Sequence, residues 1–150
     1  MSKVAVVTGS SRGIGRGIAL TLAADGYHVI VNYAGNEAAA AETAAACLQH
    51  GVEKGHSVES IIVKADIGEE IGRRHLLDET RQKFGRIDLL VNNAGITSIG
   101  RADLLDATEE AYDRLMAVNL KGPFFLSQAA AKWMIEETKF RIKTELSYRS

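Results

Sequence analysis

The chain has 150 residues, 46% of them hydrophobic, with 18 Lys and Arg set against 19 Asp and Glu. A chain of this length buries roughly 70% of the surface its unfolded form exposes, so one domain with a real core is the default. The near-neutral charge gives no field to recruit nucleic acid or an anionic membrane, a single cysteine excludes an internal disulfide framework, and the four histidines lack metal-ligand spacing.

In chain order, apolar β-rich runs alternate with helical patterns. "KVAVVT" (residues 3–8) is followed by "GIGRGIALTLAAD", "YHVIVN", "NEAAAAETAAACLQH", "SIIVKA", "EEIGRRHLLDETRQKF" and "IDLLVN". Runs that are apolar at every position imply burial on both faces, the habit of a parallel sheet covered by helices. The fold class expected is therefore α/β, a Rossmann-like doubly wound parallel sheet with strand order 3-2-1-4. The first helix sets Ile14, Ile18 and Leu22 on one stripe, with Gly26 as its stop. The second is entered through Asn36 as N-cap and closed by Gly51, and its Cys47 is expected to be a buried, inert thiol. "GVEKGHSVES" (residues 51–60) reads as a surface insertion, longer than the usual ~2 to 6 residue connection.

A long helix is expected from near Thr108, "TEEAYDRLMAVNLKGPFFLSQAAAKWMIEE". Residues 1–137 carry this alternation as one α/β unit, and residues 138–150 form a tail of different pattern. The tail's apolar residues Phe140, Ile142, Leu146 and Tyr148 alternate with charged ones, a pattern open to an edge strand, a continued helix or a disordered end. No apolar run approaches ~20 residues and "MSKVAVV" is too short for a signal peptide, so a cytoplasmic protein without membrane attachment is expected.

The chemistry starts in "TGSSRGIG" (residues 8–15), at the switch point of such a sheet. Gly9, Gly13 and Gly15 permit a tight turn after the first strand and close approach of backbone N–H groups to a pyrophosphate. The helix that follows adds a favourable dipole, and Ser10, Ser11 and Arg12 add donors beside Ile14. Where an NAD protein places an acid at the end of the second strand, this chain reads "VNYAGN" (residues 31–36, including Asn32), and no carboxylate comes before Glu37. With Arg12 able to pair with a 2′-phosphate, NADP is favoured over NAD.

"VTGSSRGIG", "KADI", "LLVNNAG" and "VNLKG", in this order and spacing, resemble the short-chain dehydrogenase/reductase family over residue 3 to about residue 137. The details "SRGIG", "VNYAGNE" and "VNNAGIT" look most like its 3-oxoacyl-(acyl-carrier-protein) reductases. The resemblance implies an NADP-dependent oxidoreductase acting on a small-molecule or carrier-bound carbonyl, and a homo-oligomer. It implies that Asp66 and Ile67 contact adenine. Asn92 to Gly95, with Asn93 and Ala94 between them, would line the cofactor and brace the central sheet. Asn119 would be the catalytic asparagine that kinks its helix.

The family's proton donor is a tyrosine followed four residues later by a lysine that lowers its pKa, with a serine upstream. Four residues after Tyr27, Tyr33 and Tyr112 stand Val31, Glu37 and Met116, and Tyr148 has no residue at that distance. The expectation is therefore a cofactor-binding front half that turns over poorly or not at all, truncated, frame-shifted or engineered at its end. A non-catalytic dinucleotide-binding module and a non-functional fragment are the alternatives. An uncovered sheet edge would favour self-association or covering by residues 140–148.

Overall fold

The computed structural model describes residues 2–147, with side chains described as far as residue 140 except at position 99. Strands β1 (Val4–Val7), β2 (His28–Tyr33), β3 (Ser60–Lys64) and β4 (Leu89–Val91) form a parallel sheet in the order β3-β2-β1-β4. Helices α1 (Gly13–Ala24), α2 (Glu37–Glu53) and α3 (Glu70–Phe84) are the crossovers. The Rossmann-like order expected from the sequence is the one observed.

The period of two along a strand explains why the apolar runs are continuous. Val4 and Val6 of β1 join Ile30, Val63, Leu76, Leu126 and Trp133 on one face of the sheet. Val7 joins Val29, Val31, Ala19, Ala23, Ala40 and Cys47 on the other. Small residues on α1 and α2 let those helices lie close to the sheet, whereas larger ones fill the opposite layer.

Helix ends follow the local signals in most places. Asn36 caps α2 by accepting from the Ala39 N–H at 3.0 Å, and Gly26, with φ of +87°, follows the end of α1. Three expectations are corrected. Ile14 is 80% exposed, because the buried stripe of α1 runs through Gly15, Ala19 and Ala23, about 100° round the helix from Ile14, with Ile18 and Leu22 partly covered. Gly51 lies inside α2 rather than at its end; a Cβ there would stand 2.4 Å from Val58 Cγ2, so close packing and not termination calls for glycine. The expected insertion is thus in part the last turn of α2, and Val58 folds back onto that helix.

The expected long helix is broken. Helix α4 (Glu109–Met116), capped by the Thr108 hydroxyl on the Ala111 N–H, passes into a π-helical turn (Ala117–Lys121) and then into α5 (Gly122–Ser147). Through Ser147 the expected tail is therefore continued helix and adds no fifth strand; Tyr148 to Ser150 lie outside the described residues. No helix among the described residues is long and apolar enough to cross a membrane.

Candidate functional site

A cavity of about 600 Å³ opens at the carboxyl ends of the strands, where the chain order reverses between β1 and β4. This is where open parallel sheets place ligands. The loop after β1, the ends of β2 and β3 and the loop after β4 surround it, with Arg114 and Val118 closing one side.

The first segment contributes Gly9, Ser11, Arg12 and Gly13. Gly9 has φ of +60°, and a Cβ on it would meet Ala94 Cα at 2.8 Å, so the loops after β1 and β4 touch through a position only glycine can fill. At Gly15 a Cβ would meet Asn93 Nδ2 at 2.4 Å and Gly9 O at 2.5 Å. Arg12 stands at the N-cap position of α1 without a side-chain cap, leaving the first-turn N–H groups open at the cavity's edge. Thr43 Oγ1 of α2 donates to Ser11 O at 2.9 Å and accepts from Arg16 Nη1 at 3.1 Å, which fastens the loop from behind. The Ser10 hydroxyl is buried and donates to Val7 O at 2.7 Å, so its proton is already committed inside the loop; Ile14 points to solvent.

Asn32, at the end of β2, is 2% exposed. Its Oδ1 accepts from Gly9 N at 3.1 Å, and its Nδ2 donates to Val63 O at 3.2 Å and Ala65 O at 3.0 Å. One amide therefore ties the glycine loop to β2 and β3, and its donors are both spent on the backbone. Beyond it, Ala34, Gly35 and Asn36 line the cavity without a carboxylate.

Asp66 and Ile67 line the cavity from the end of β3. Asp66 Oδ1 accepts from Gly68 N at 2.9 Å, and Oδ2 pairs with Arg114 Nη2 at 2.7 Å. Arg114 comes from α4 and also lines the cavity. Sequence reasoning missed it, because nothing in the spacing of α4 marks a contact with the β3 end.

On the β4 side, Asn93, Ala94, Gly95 and Ile96 line the cavity. Thr8 is the hub of the brace: its Oγ1 donates to Val91 O at 3.3 Å and accepts from the Asn93 and Ala94 N–H groups, each at 3.0 Å. Asn93 Nδ2 donates to Thr8 O and Gly9 O, each at 3.0 Å. Asn92 instead reaches α5, donating to Ser127 Oγ at 2.9 Å. Asn119, in the π turn, accepts from Ile96 N and donates to Ile96 O, both at 2.8 Å.

A parallel sheet of this order with a glycine-lined cavity at its switch point defines a Rossmann-like α/β protein. Residues 3–143 match the family model for short chain dehydrogenases, and the chain belongs to that family. It is 40% identical over 133 residues to a short-chain type dehydrogenase/reductase of Picea abies, covering 89% of this chain and 49% of the relative. It is 41% identical over 137 residues to the 3-oxoacyl-(acyl-carrier-protein) reductase FabG of Staphylococcus aureus, covering 91% and 52%. Among solved structures, the landomycin C-6 ketoreductase LanV with bound NADP and rabelomycin superposes with a TM-score of 0.76 at 38% identity, over 87% of this chain and 53% of that one. The chain thus spans about half the length of the curated relatives it matches.

Proposed function

We propose that this chain binds NADP(H) in the cavity at the switch point and serves carbonyl reduction on a 3-oxoacyl thioester or similar small or carrier-bound substrate. The observation that carries the reading is the uncapped N-terminus of α1 with Arg12 beside it, facing a β2 end that lacks a carboxylate. Phosphates are held by first-turn N–H groups and the dipole, and a 2′-phosphate would gain Arg12 without meeting an acid. The close fit of Gly9 against Ala94 supports a tight glycine loop at the cavity, since any side chain there would push the loops after β1 and β4 apart. NADP bound to LanV supports the same cofactor type.

When bound, reduced nicotinamide supplies a hydride to a carbonyl carbon. The chain's own residues bind and orient. Ser11, Arg12 and Gly13 would take the phosphates, Asp66 and Ile67 the adenine, and Asn93 to Gly95 the nicotinamide side. Asn119 pairs with Ile96 through one lone pair of Oδ1 and one N–H of Nδ2, which fixes the loop facing the cofactor and leaves its second lone pair and second N–H for the catalytic part that the family resemblance gives it. No tyrosine in the sequence is followed four residues later by lysine, which supports weak or absent turnover by the 150 residues alone. The exposed Phe124, Phe125 and Ile135 on α5 support self-association, which sedimentation would measure.

The deciding experiment is a titration of the chain with NADPH and, separately, NADH, followed by nicotinamide fluorescence. Saturation with NADPH preferred by about tenfold or more, which is about 1.4 kcal/mol, is the expected result. Equal affinity for the two removes the role given to Arg12. No saturation with either overturns the reading. Binding without reduction of a 3-oxoacyl thioester would favour the second reading, a non-catalytic dinucleotide-binding module.

A further inference from the structure

Arg114 and Asp66 form the one ion pair at the cavity among the described residues, and no sequence motif assigns a role to Arg114. Its guanidinium lies across the loop after β3: a Cβ on Gly68 would come within 2.9 Å of Arg114 Nη1 and 3.1 Å of Val118 Cγ2. A Cβ on Gly122, at the start of α5, would come within 2.5 Å of Ile67 O. Two glycines therefore let α4, the π turn and α5 press on the loop that carries Asp66. The carboxylate is held from both sides, by Gly68 N on Oδ1 and by Arg114 on Oδ2, and its remaining lone pairs are left for the cavity.

We propose that Arg114 is a positioning residue for base recognition: it fixes the Asp66 carboxylate so that it accepts the exocyclic N–H of a 6-aminopurine and turns away a 6-oxopurine. This rests on the reading of the cavity as a dinucleotide site. An ionised carboxylate only accepts hydrogen bonds, so when pinned toward the 6-position it attracts an amino group and repels a carbonyl oxygen. A carboxylate free to rotate could instead accept the N1–H of hypoxanthine, and the distinction would fade. Arg114 also neutralises Asp66, so that a polyanionic ligand enters without meeting an unpaired negative charge. Arginine suits the task because its planar fork fixes direction, whereas lysine offers a mobile point charge.

The test compares NADPH with reduced nicotinamide hypoxanthine dinucleotide phosphate, the same molecule with a 6-oxopurine, by nicotinamide fluorescence on the native chain, R114A, R114K and D66N. The native chain is expected to prefer NADPH by about tenfold, and R114A to bring the two ligands within about twofold of each other, chiefly by weakening NADPH. R114K should fall between, and D66N should remove the preference as R114A does. Thermal melting of each variant establishes that it is folded, and R114K serves if R114A is not. Equal loss of both ligands in R114A, or an unchanged preference, overturns the role of Arg114 while leaving the dinucleotide site intact. A native chain that binds neither ligand overturns the site itself, and this inference with it.

Discussion

Asn119 and Ile96 are joined by two hydrogen bonds of 2.8 Å, the side-chain amide of one pairing with both the N–H and the C=O of the other. The pairing is possible because the π turn at Ala117–Lys121 places Asn119 over the loop after β4. A π turn is less favourable than the α-helix around it, and such turns concentrate where a side chain has a task.

Replacing Asn119 by alanine frees that loop. The bonds are exposed, so we expect about 1 kcal/mol of destabilisation, a shift of roughly 2 to 4 °C in melting temperature for a chain this size. The more telling measurement is amide hydrogen exchange at Ile96, which should speed up selectively in N119A. Unchanged protection at Ile96 would show that the loop is held by something else.

Asn32 makes three bonds to backbone groups from a buried position, and two of them are donated to carbonyls. N32D replaces both donors with acceptors facing Val63 O and Ala65 O. We expect a loss of about 2 to 4 kcal/mol at neutral pH by denaturant melting, partly recovered in acid, where the protonated carboxyl can donate once. A loss independent of pH would contradict the donor argument.

Gly9 combines φ of +60° with a 2.8 Å approach of its would-be Cβ to Ala94 Cα. G9A should cost about 1 to 3 kcal/mol in stability from backbone strain alone and abolish saturable NADPH binding. By contrast Gly13, where a Cβ meets nothing within 4 Å, should tolerate alanine with less loss of stability, limited by its φ of +59°. Comparable melting temperatures for G9A and G13A would defeat the packing argument.

Cys47 is fully buried on α2, and burial pushes its thiol up to about 11, against the smaller opposing effects of Ser60 and Arg16. The unfolded chain releases this proton near the ordinary value of 9.0, so between 9.0 and about 11 the folded state binds more protons. The contribution is complete below the lower value and is lost as pH rises through the higher one. C47A should therefore show a shallower loss of stability over that alkaline range, and a thiol reagent near neutral pH should label native protein only as fast as it unfolds.

What depends on neighbours along the chain was legible in the order of residues. Alternation of apolar strands with helices specified a parallel sheet and its order, because two-faced burial and right-handed crossovers leave few other arrangements. Asn36 and Gly26 marked helix ends through capping and turn geometry, which are local. The glycine loop was legible for the same reason. The rest depends on packing between distant segments. Gly51 read as a stop because glycine often ends helices, yet it serves the approach of Val58. Ile14 followed the period of Ile18 and Leu22, but the buried stripe runs through Gly15, Ala19 and Ala23. Ser10, counted as a donor at the loop, spends its proton on Val7. Asn32 and Arg114 have their meaning in partners far along the chain: the glycine loop and β3 for one, Asp66 for the other. Residue spacing carries no trace of such contacts, since they exist only once strand register and helix packing have brought separate segments within hydrogen-bond reach.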